Sequence, residues 1–440
     1  MKSKIPKVLH LLGGVPILSY PLSLAEKNHF QNIIVVIGHE AEQVEKALAG
    51  RLIQTVLQPQ RLGTGDAVLR AEPLLKEFVG PVFILNGDTP LILPETLMAL
   101  WETHLKEQAT ITFLTADILN PKGYGRVIRT QEGFVNGIVE EKDATDAQRH
   151  IHEINSGTYV VEASFLFDAL KKISPENAQK EYYLTDIIKI ACEKGERVVA
   201  FKATAEEVIG INSRADLAQA EKIIQRRVAR YFMDCGVTLM DPDRIRIDAT
   251  VTIGADTIVH PGVTLEGKTT VGERCILHAC RIKDSQVSSD VQIKDHSVIE
   301  SAIVESDVTI GPFAHIRPGT ILRKGAKVGN FVEIKKSELG EHSKANHLTY
   351  LGDAFVGKRV NIGAGTITCN YDGKNKHKTV IEDDVFVGSD TQFIAPVTIG
   401  ARSLIAAGSS ITKDVEADSL AVSRGRQTTK AGWTKHKNTK

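Results

Sequence analysis

Between residues 250 and 415 an aliphatic residue, often followed by glycine, returns every six positions. Ile253-Gly254, Val259, Leu265 and Val271-Gly272 begin the series, and Ile310-Gly311, Ile316, Leu322, Val328-Gly329 and Ile334 keep its phase. Ile381, Val387-Gly388, Phe393, Ile399-Gly400, Ile405 and Ile411 close it. Each hexapeptide supplies one short strand and a turn, so the aliphatic heads stack into a continuous core while successive coils pair their backbones. The expectation for this half is a parallel β-helix. The period itself leaves the handedness open.

A regular repeat is scaffold, so chemistry is expected where the period slips. It slips after Ser337, between Leu351 and Val356, and between Ile367 and Ile381, where Thr368-Cys369-Asn370-Tyr371-Asp372-Gly373 opens a loop. The first two slips neighbour His347 and Tyr350, and the third carries Asn370 and Tyr371.

The first 212 residues follow another pattern. Apolar runs such as Ile33-Ile34-Val35-Val36-Ile37 and Pro81-Val82-Phe83-Ile84-Leu85 alternate with helical patterns such as Ala41 to Leu48. That alternation predicts an α/β domain on a mostly parallel sheet. Ligands of such sheets bind beyond the carboxyl ends of the strands, and Asn86-Gly87-Asp88 directly follows the second run. An aspartate there suits magnesium on a triphosphate, because that cation takes hard oxygen ligands and keeps several waters. It equally suits a helix cap or a turn. Gly63-Thr64-Gly65 either lets a backbone approach a ligand or turns the chain. Lys7, after Pro6, either neutralises phosphate or lies solvated.

Taken in order, a longer set of motifs is specific: Pro6-Lys7-Val8-Leu9-His10, Gln58, Leu62-Gly63-Thr64-Gly65, Gly87-Asp88, Gly123-Tyr124-Gly125-Arg126, Val139-Glu140, Glu153-Ile154-Asn155-Ser156-Gly157 and Tyr182-Tyr183-Leu184-Thr185-Asp186. Together they resemble the sugar nucleotidyltransferases, and within them the bifunctional enzymes that make UDP-N-acetylglucosamine, a resemblance that extends over the whole chain. It implies two reactions. Acetyl passes from acetyl-CoA to glucosamine 1-phosphate, and uridylyl then passes from UTP to N-acetylglucosamine 1-phosphate with release of pyrophosphate. The product supplies peptidoglycan and lipopolysaccharide precursors.

The resemblance also implies an architecture. Residues 1–212 are the nucleotidyltransferase domain with a Rossmann-like mixed sheet, 213–235 a linker helix, and 236–440 an acetyltransferase domain with a basic tail. The latter resembles the left-handed β-helices of hexapeptide acyltransferases, an exception to the usual right-handed crossover. By the same resemblance Gln58, Gly63 and Thr64 face the uracil and nucleotide, and Gly125, Glu140 and Asn155 hold the sugar. Asp88 and Asn212 hold magnesium, Asn212 also meeting the nucleotide, and Lys7 adds positive charge beside the phosphates. The ion offsets phosphate charge and orients an in-line attack of the sugar phosphate oxygen on the α-phosphate. No protein nucleophile is needed.

One departure carries its own expectation. The family pattern opens with a buried strand running into a glycine-rich loop of the form LxxGxGTRM, and this chain starts at what resembles that motif's final Met. Without the loop, the sheet is expected to expose unpaired backbone and apolar surface, and uridylyl transfer to be weak or absent.

From Ser213 to Gly236 the spacing predicts an amphipathic helix with Leu217, Ala220, Ile224, Val228, Tyr231 or Phe232, and Cys235 on one face. Ser213 is the expected N-cap and Gly236 the expected stop.

Acetylating an amine requires a base near neutral pH, and histidine is the natural one. Among 14 histidines His347 stands out by context, because Ser343 to Asp353 resembles the family's catalytic segment. The resemblance assigns Arg317, Lys335, Tyr350, Asn361 and Asn370 to the sugar phosphate, and Ala364, Tyr371, Ser389, Ala407 and Arg424 to acetyl-CoA. Arg317 and Lys335 suit a phosphate dianion, since charge-assisted bonds are the strong ones; they equally suit a solvated basic face. Ser389 suits the leaving thiolate or simply a turn. The basic tail from Lys413, with Arg424, Arg426, Lys430, Lys435, Lys437 and Lys440, suits solvent or the 3′-phosphate of CoA across a subunit boundary, since such β-helices resemble one another in forming homotrimers.

Three other readings share these features. A zinc hydratase would use His342, His347 and His315 as ligands. A second is a trimeric interaction scaffold without chemistry, and a third an acetyltransferase with a disabled first domain. Composition narrows the setting: 54 basic residues balance 54 acidic ones, which points to no nucleic-acid or membrane partner. The five cysteines show no CxxC pair and no long apolar run occurs, as expected of a cytoplasmic enzyme.

Overall fold

The computed structural model describes residues 1–28, 30 and 32–434, and the chain divides into two compact units, Met1–Ile224 and Gln225–Lys440.

In the first unit the central sheet has the order Val198–Lys202, Ile111–Asp117, Glu153–Glu162, Arg126–Arg129, Val135–Val139, with Pro81–Ile84 also on Glu153–Glu162. Only Val198–Lys202 runs parallel to its neighbour among the described residues; the long strand Glu153–Glu162 is antiparallel to every partner. The mostly parallel sheet expected from the alternation of runs is therefore a mixed one. Apolar runs report that strands are buried, but their direction depends on how the chain returns. Here it re-enters through the antiparallel pair Arg126–Arg129 and Val135–Val139.

Ile34–Ile37 forms a separate parallel pair with Gln54–Leu57. The intervening helix Ala41–Leu48 has the bounds its pattern predicts and buries Val44 and Leu48. Ile34–Ile37 and Pro81–Ile84 line one cavity of about 530 Å³, and among the described residues the first pairs with Gln54–Leu57 alone and the second with Glu153–Glu162 alone. The carboxyl ends of both line that cavity together with Lys7, Thr64, Asn86 and Gly87.

The second unit is the parallel β-helix. Its strands are two to four residues long and stack in three sheets, of 11, 10 and 9 strands among the described residues, every ladder parallel. The aliphatic heads form one buried cluster that includes Val259, Leu265, Ile310, Ile316, Leu322, Ile334, Val387, Ile399 and Ile405. Each such side chain contributes about 1.5–3 kcal/mol when fully buried. With the six-residue repeat matched at residues 378–413, the unit is a left-handed β-helix of hexapeptide repeats.

Two further features of the repeat have local causes. The glycine after a head marks a place where the next coil passes close by: a Cβ on Gly329 would run into the carbonyl oxygen of Asn346. Buried hydroxyls satisfy backbone groups at the turns, as where Ser343 Oγ donates to Gly357 O at 2.6 Å and accepts from Val360 N at 2.8 Å.

The helix between the domains spans Arg214–Asp234. Ser213 Oγ accepts from Asp216 N at 3.1 Å, while Asp216 Oδ2 accepts from Ser213 N at 2.7 Å, so the cap is reciprocal. Gly236, at φ +86°, stops it. Of the two aromatic candidates Phe232 is the buried one, with Ala229 in the β-helix core; Tyr231 and, against expectation, Cys235 are exposed. No helix among the described residues is long and apolar enough to cross a membrane.

Candidate functional site

In the α/β unit the named residues gather in two adjoining groups. In the first, Lys7 Nζ lies 2.5 Å from Asp88 Oδ2 and 2.9 Å from Asn212 Oδ1. Lys7 sits on the short 3-10 turn Lys7–Leu9, and Asp88 follows the strand Pro81–Ile84. Ile211 N donates to the Asp88 carbonyl at 3.0 Å, so backbone bonding brings Asn212 to Asp88 across more than 120 residues. An aspartate carboxylate and an amide oxygen fit a hard cation that takes its other ligands from water and phosphates.

In the second group, Asn155 N donates to Gly125 O at 2.9 Å and Asn155 Nδ2 to Tyr159 Oη at 2.6 Å. Thr185 Oγ1 donates to Glu140 Oε1 at 3.0 Å. A side chain at 125 would strike Ile138 and approach the Glu140 carboxylate, so the glycine keeps that carboxylate accessible. Burial pushes the Glu140 carboxyl above its ordinary range, against the pull of the Thr185 hydroxyl. The same burial raises the Tyr159 phenol.

The turn at Gly63 and Thr64 joins this group through Tyr182 to Thr185. Gly63 has φ +111° and leaves no space for a Cβ beside the Tyr182 backbone, and Thr64 Oγ1 accepts from Leu184 N at 3.1 Å. Gln58 Nε2 donates to Gly63 O at 3.0 Å and to Asp66 Oδ2 at 2.8 Å, which fixes the turn. Tyr124, beside Gly125, links the two groups: its hydroxyl accepts from Gly210 N at 3.2 Å.

In the β-helix the named residues sort by face and corner. Arg317, Lys335 and Gly352 stack in register on the 10-stranded sheet, one coil apart. Arg317 Nη1 is 2.6 Å from Glu333 Oε1, and Asn370 Nδ2 donates to Asp353 Oδ2 at 2.5 Å. A Cβ on Gly352 would collide with the Tyr350 hydroxyl and lie 2.8 Å from Asn370 Nδ2, so those two polar groups converge over the glycine. Lys376, which the sequence reading did not single out, faces Lys335 closely enough to push its ammonium pKa down. Lys335, Lys376 and Arg317 thus concentrate positive charge that suits a multiply charged anion.

The other group runs along one corner. Asn330 pairs with His347, and the same sheet continues coil by coil through Ile362, Val387 and Ile405, each two residues before Ala364, Ser389 and Ala407 as Ala345 is before His347. Arg424 Nη1 donates to Ala407 O at 2.9 Å. His347 Nδ1 lies 2.8 Å from Asn330 Oδ1. Beyond His347 the corner is made of small side chains.

Two assignments fall elsewhere. Asn361 stands on the 11-stranded sheet, on a different face from Arg317, Lys335 and Tyr350. Tyr371 is exposed on the inserted loop, its hydroxyl donating to Gly373 O at 2.6 Å, and is not part of the corner. That loop is pre-shaped by Asp372, whose carboxyl is held well below its usual range by the Asn375 amide, His377 and the Lys374 amide. Asn330 and Lys376 stand beside the named residues without having been named from the sequence, and Gly352 and Asp353 were named only as part of the segment Ser343 to Asp353; the coil spacing of 17 residues would have pointed from His347 back to Asn330. Lys435, Lys437 and Lys440 of the basic tail lie outside the described residues. No group of three His, Cys, Asp or Glu side chains among the described residues is placed to hold a metal, so the trio His315, His342 and His347 required by a zinc hydratase is not assembled.

A mixed-sheet nucleotide-transferring domain followed by a hexapeptide β-helix defines a transferase with two separate sites. The nucleotidyl transferase family matches residues 2–238, the GMPPB C-terminal domain residues 243–344 and the bacterial transferase hexapeptide residues 378–413. The bifunctional protein GlmU of Geotalea uraniireducens (strain Rf4) is 52% identical over 436 residues, 98% of this chain and 95% of the relative. Those of Heliobacterium modesticaldum and Halalkalibacterium halodurans are 51% and 47% identical, covering 99% and 100% of this chain and 96% of each relative. The chain belongs to the GlmU family of bifunctional proteins. It is a bifunctional enzyme of UDP-N-acetylglucosamine synthesis, with a uridylyltransferase and an acetyltransferase domain acting on small-molecule substrates.

Proposed function

We propose that residues 236–440 transfer acetyl from acetyl-CoA to glucosamine 1-phosphate at the corner headed by His347, and that residues 1–212 transfer uridylyl at Lys7, Asp88 and Asn212, with helix 213–235 between them. The observation that carries the acetyl half is the corner itself, where a histidine hydrogen-bonded at Nδ1 is followed by three coils of small residues. Coils about 4.8 Å apart place Ala407 roughly 14 Å from His347, an extended groove suited to the pantetheine arm of CoA. Arg424 at its far end suits a CoA phosphate.

With Nδ1–H donating to Asn330 Oδ1, the lone pair lies on His347 Nε2. That nitrogen takes a proton from the substrate amine as the amine nitrogen bonds to the thioester carbonyl carbon. The C–S bond then breaks and the thiolate of CoA leaves. Arg317, Lys335 and Lys376 hold the phosphate, and Tyr350 and Asn370 orient the sugar over Gly352. Asn361 and Tyr371 complete the substrate and acetyl-CoA contacts from other faces.

Because one chain presents these groups on separate faces, we propose a homotrimer in which a neighbouring copy closes the site. Supporting it, Phe313, Phe331 and Leu348 form an exposed apolar corner beside His347, the two rings stacked 5.3 Å apart. Light scattering should give the mass of three chains.

In the first unit Asp88 and Asn212 would hold magnesium, which supplies charge neutralisation and orientation of the triphosphate. Gln58, Gly63 and Thr64 bind the base and nucleotide, Lys7 adds charge, and Gly125, Glu140 and Asn155 position N-acetylglucosamine 1-phosphate. The balanced charge and scattered cysteines favour a cytoplasmic setting.

Paired assays test the proposal. Thiol release with glucosamine 1-phosphate and acetyl-CoA is expected, and pyrophosphate release with UTP, magnesium and N-acetylglucosamine 1-phosphate is expected of the bifunctional reading, at a lower rate if the missing glycine-rich loop matters as the sequence suggests. Acetylation without pyrophosphate would favour the reading with a disabled first domain, and unchanged acetylation in His347→Ala would sink the assigned base.

A further inference from the structure

The oxygen pair assigned to magnesium is already bridged by a cation of the chain itself. Lys7 Nζ sits between Asp88 Oδ2 and Asn212 Oδ1, at 2.5 and 2.9 Å. Both of those residues are also fixed without the lysine. Ile211 N donates to the Asp88 carbonyl at 3.0 Å, and Asn212 N and Ser213 N donate to Asp216 Oδ2 at 2.9 and 2.7 Å. Lys7 reaches in on a flexible four-carbon stem, and its side chain is 35% exposed, so the ammonium has a route out.

One gap between two oxygens takes one cation. Magnesium binds oxygen at about 2.0–2.1 Å, so an ion and the ammonium cannot share this pair, and like charges that close repel. We infer that Lys7 is an exchangeable counter-ion: it occupies the gap between Asp88 and Asn212 while no divalent cation is bound, and is released towards the nucleotide phosphates when one binds. Cation entry and phosphate neutralisation are thereby coupled. The lysine weakens divalent-ion binding by the free protein and strengthens it once a nucleotide is present to receive the ammonium. The inference rests on the metal reading of Asp88 and Asn212, and its test separates the two.

Manganese binding by the full chain, followed through the electron paramagnetic resonance signal of free Mn²⁺, is measured with and without UTP for the wild type, Lys7→Met, Lys7→Gln, Lys7→Arg and Asp88→Asn. Without UTP, Lys7→Met and Lys7→Gln are expected to bind Mn²⁺ about five- to tenfold more tightly than wild type. Lys7→Arg should match wild type, and Asp88→Asn should lose the site. With UTP the advantage of the neutral variants should reverse. A lysine that merely braces the site gives the opposite sign, since its loss would loosen the oxygen pair. If both neutral variants bind Mn²⁺ no more tightly than wild type without UTP, while Asp88→Asn still loses it, the counter-ion role is refuted and the metal site stands. Unaltered binding in Asp88→Asn overturns the metal reading and the inference with it.

Discussion

In the β-helix a single buried cluster extends from Val237 to Ile411, whereas the α/β unit divides its core among separate clusters and its strands between a central sheet and the pair Ile34–Ile37 and Gln54–Leu57. Their sites differ in the same way. The candidate residues of the β-helix mostly meet a neighbour one coil away, as Asn330 meets His347 and Asn370 meets Asp353, each at 17 residues. Lys7 instead meets partners 81 and 205 residues away. A repeat builds its site by register along one axis, so a change stays within adjacent coils. The α/β site depends on several chain segments returning to one place.

The sharpest way to break this contrast is His347→Ala. Acetylation should fall about 10²- to 10⁴-fold, while pyrophosphate release stays at the wild-type rate; a matching fall in both assays would show that the units are not independent. Next in size is Gly352→Ala, whose methyl would displace the Tyr350 hydroxyl and the Asn370 amide. Overpacking there should cost about 1–3 kcal/mol of substrate binding, read as a raised KM for glucosamine 1-phosphate with KM for acetyl-CoA unchanged.

Asn330→Ala removes the acceptor at His347 Nδ1 and should lower kcat about fivefold, the worth of one hydrogen bond of about 1 kcal/mol. Because a lost acceptor frees the imidazole tautomer, the pH–rate profile should also move; a fixed profile would count against Asn330 as the orienting group. The smallest effect belongs to Glu140→Gln in the α/β unit. Its folded pKa is raised by burial, so the folded state holds the proton more tightly, and Glu140 favours folding less as pH rises through that raised value. At about pH 8 the amide variant should melt a few degrees, about 2–4 °C, above wild type. The gain should vanish towards the acid range, and calorimetry across pH would show whether it does.

Much of the β-helix was legible in the chain. The aliphatic heads named from the period lie in its core, and the slips at Ser337, at Leu351 to Val356 and after Ile367 fall where Lys335, Tyr350 and Asn370 gather. Lys376 escaped notice because a lysine within an inserted loop has no period to mark it. Asn361 could not be placed on its own face until the ladder Lys344 to Asn361 was known. In the α/β unit the motifs named residues that gather in two adjoining groups, and the resemblance implied the mixed sheet that is found; the alternation of apolar runs alone pointed to a mostly parallel one, since an apolar run is equally apolar in either direction.

By itself, then, the sequence determined that the second half must coil, because a strict six-residue repetition of aliphatic heads has no other way to bury them together. It also marked the residues that interrupt the coil. Only the tertiary structure decided which of these share a corner, because that depends on coil length, 17 residues from Asn330 to His347 but 25 from Lys358 to Asp383 across the inserted loop. Register between coils is set by backbone hydrogen bonds and not by side-chain identity, so counting along the chain loses its place at each insertion. The meeting of Lys7 with Asp88 and Asn212 is of the same kind: no local pattern carries it, and only the folded backbone brings the three together.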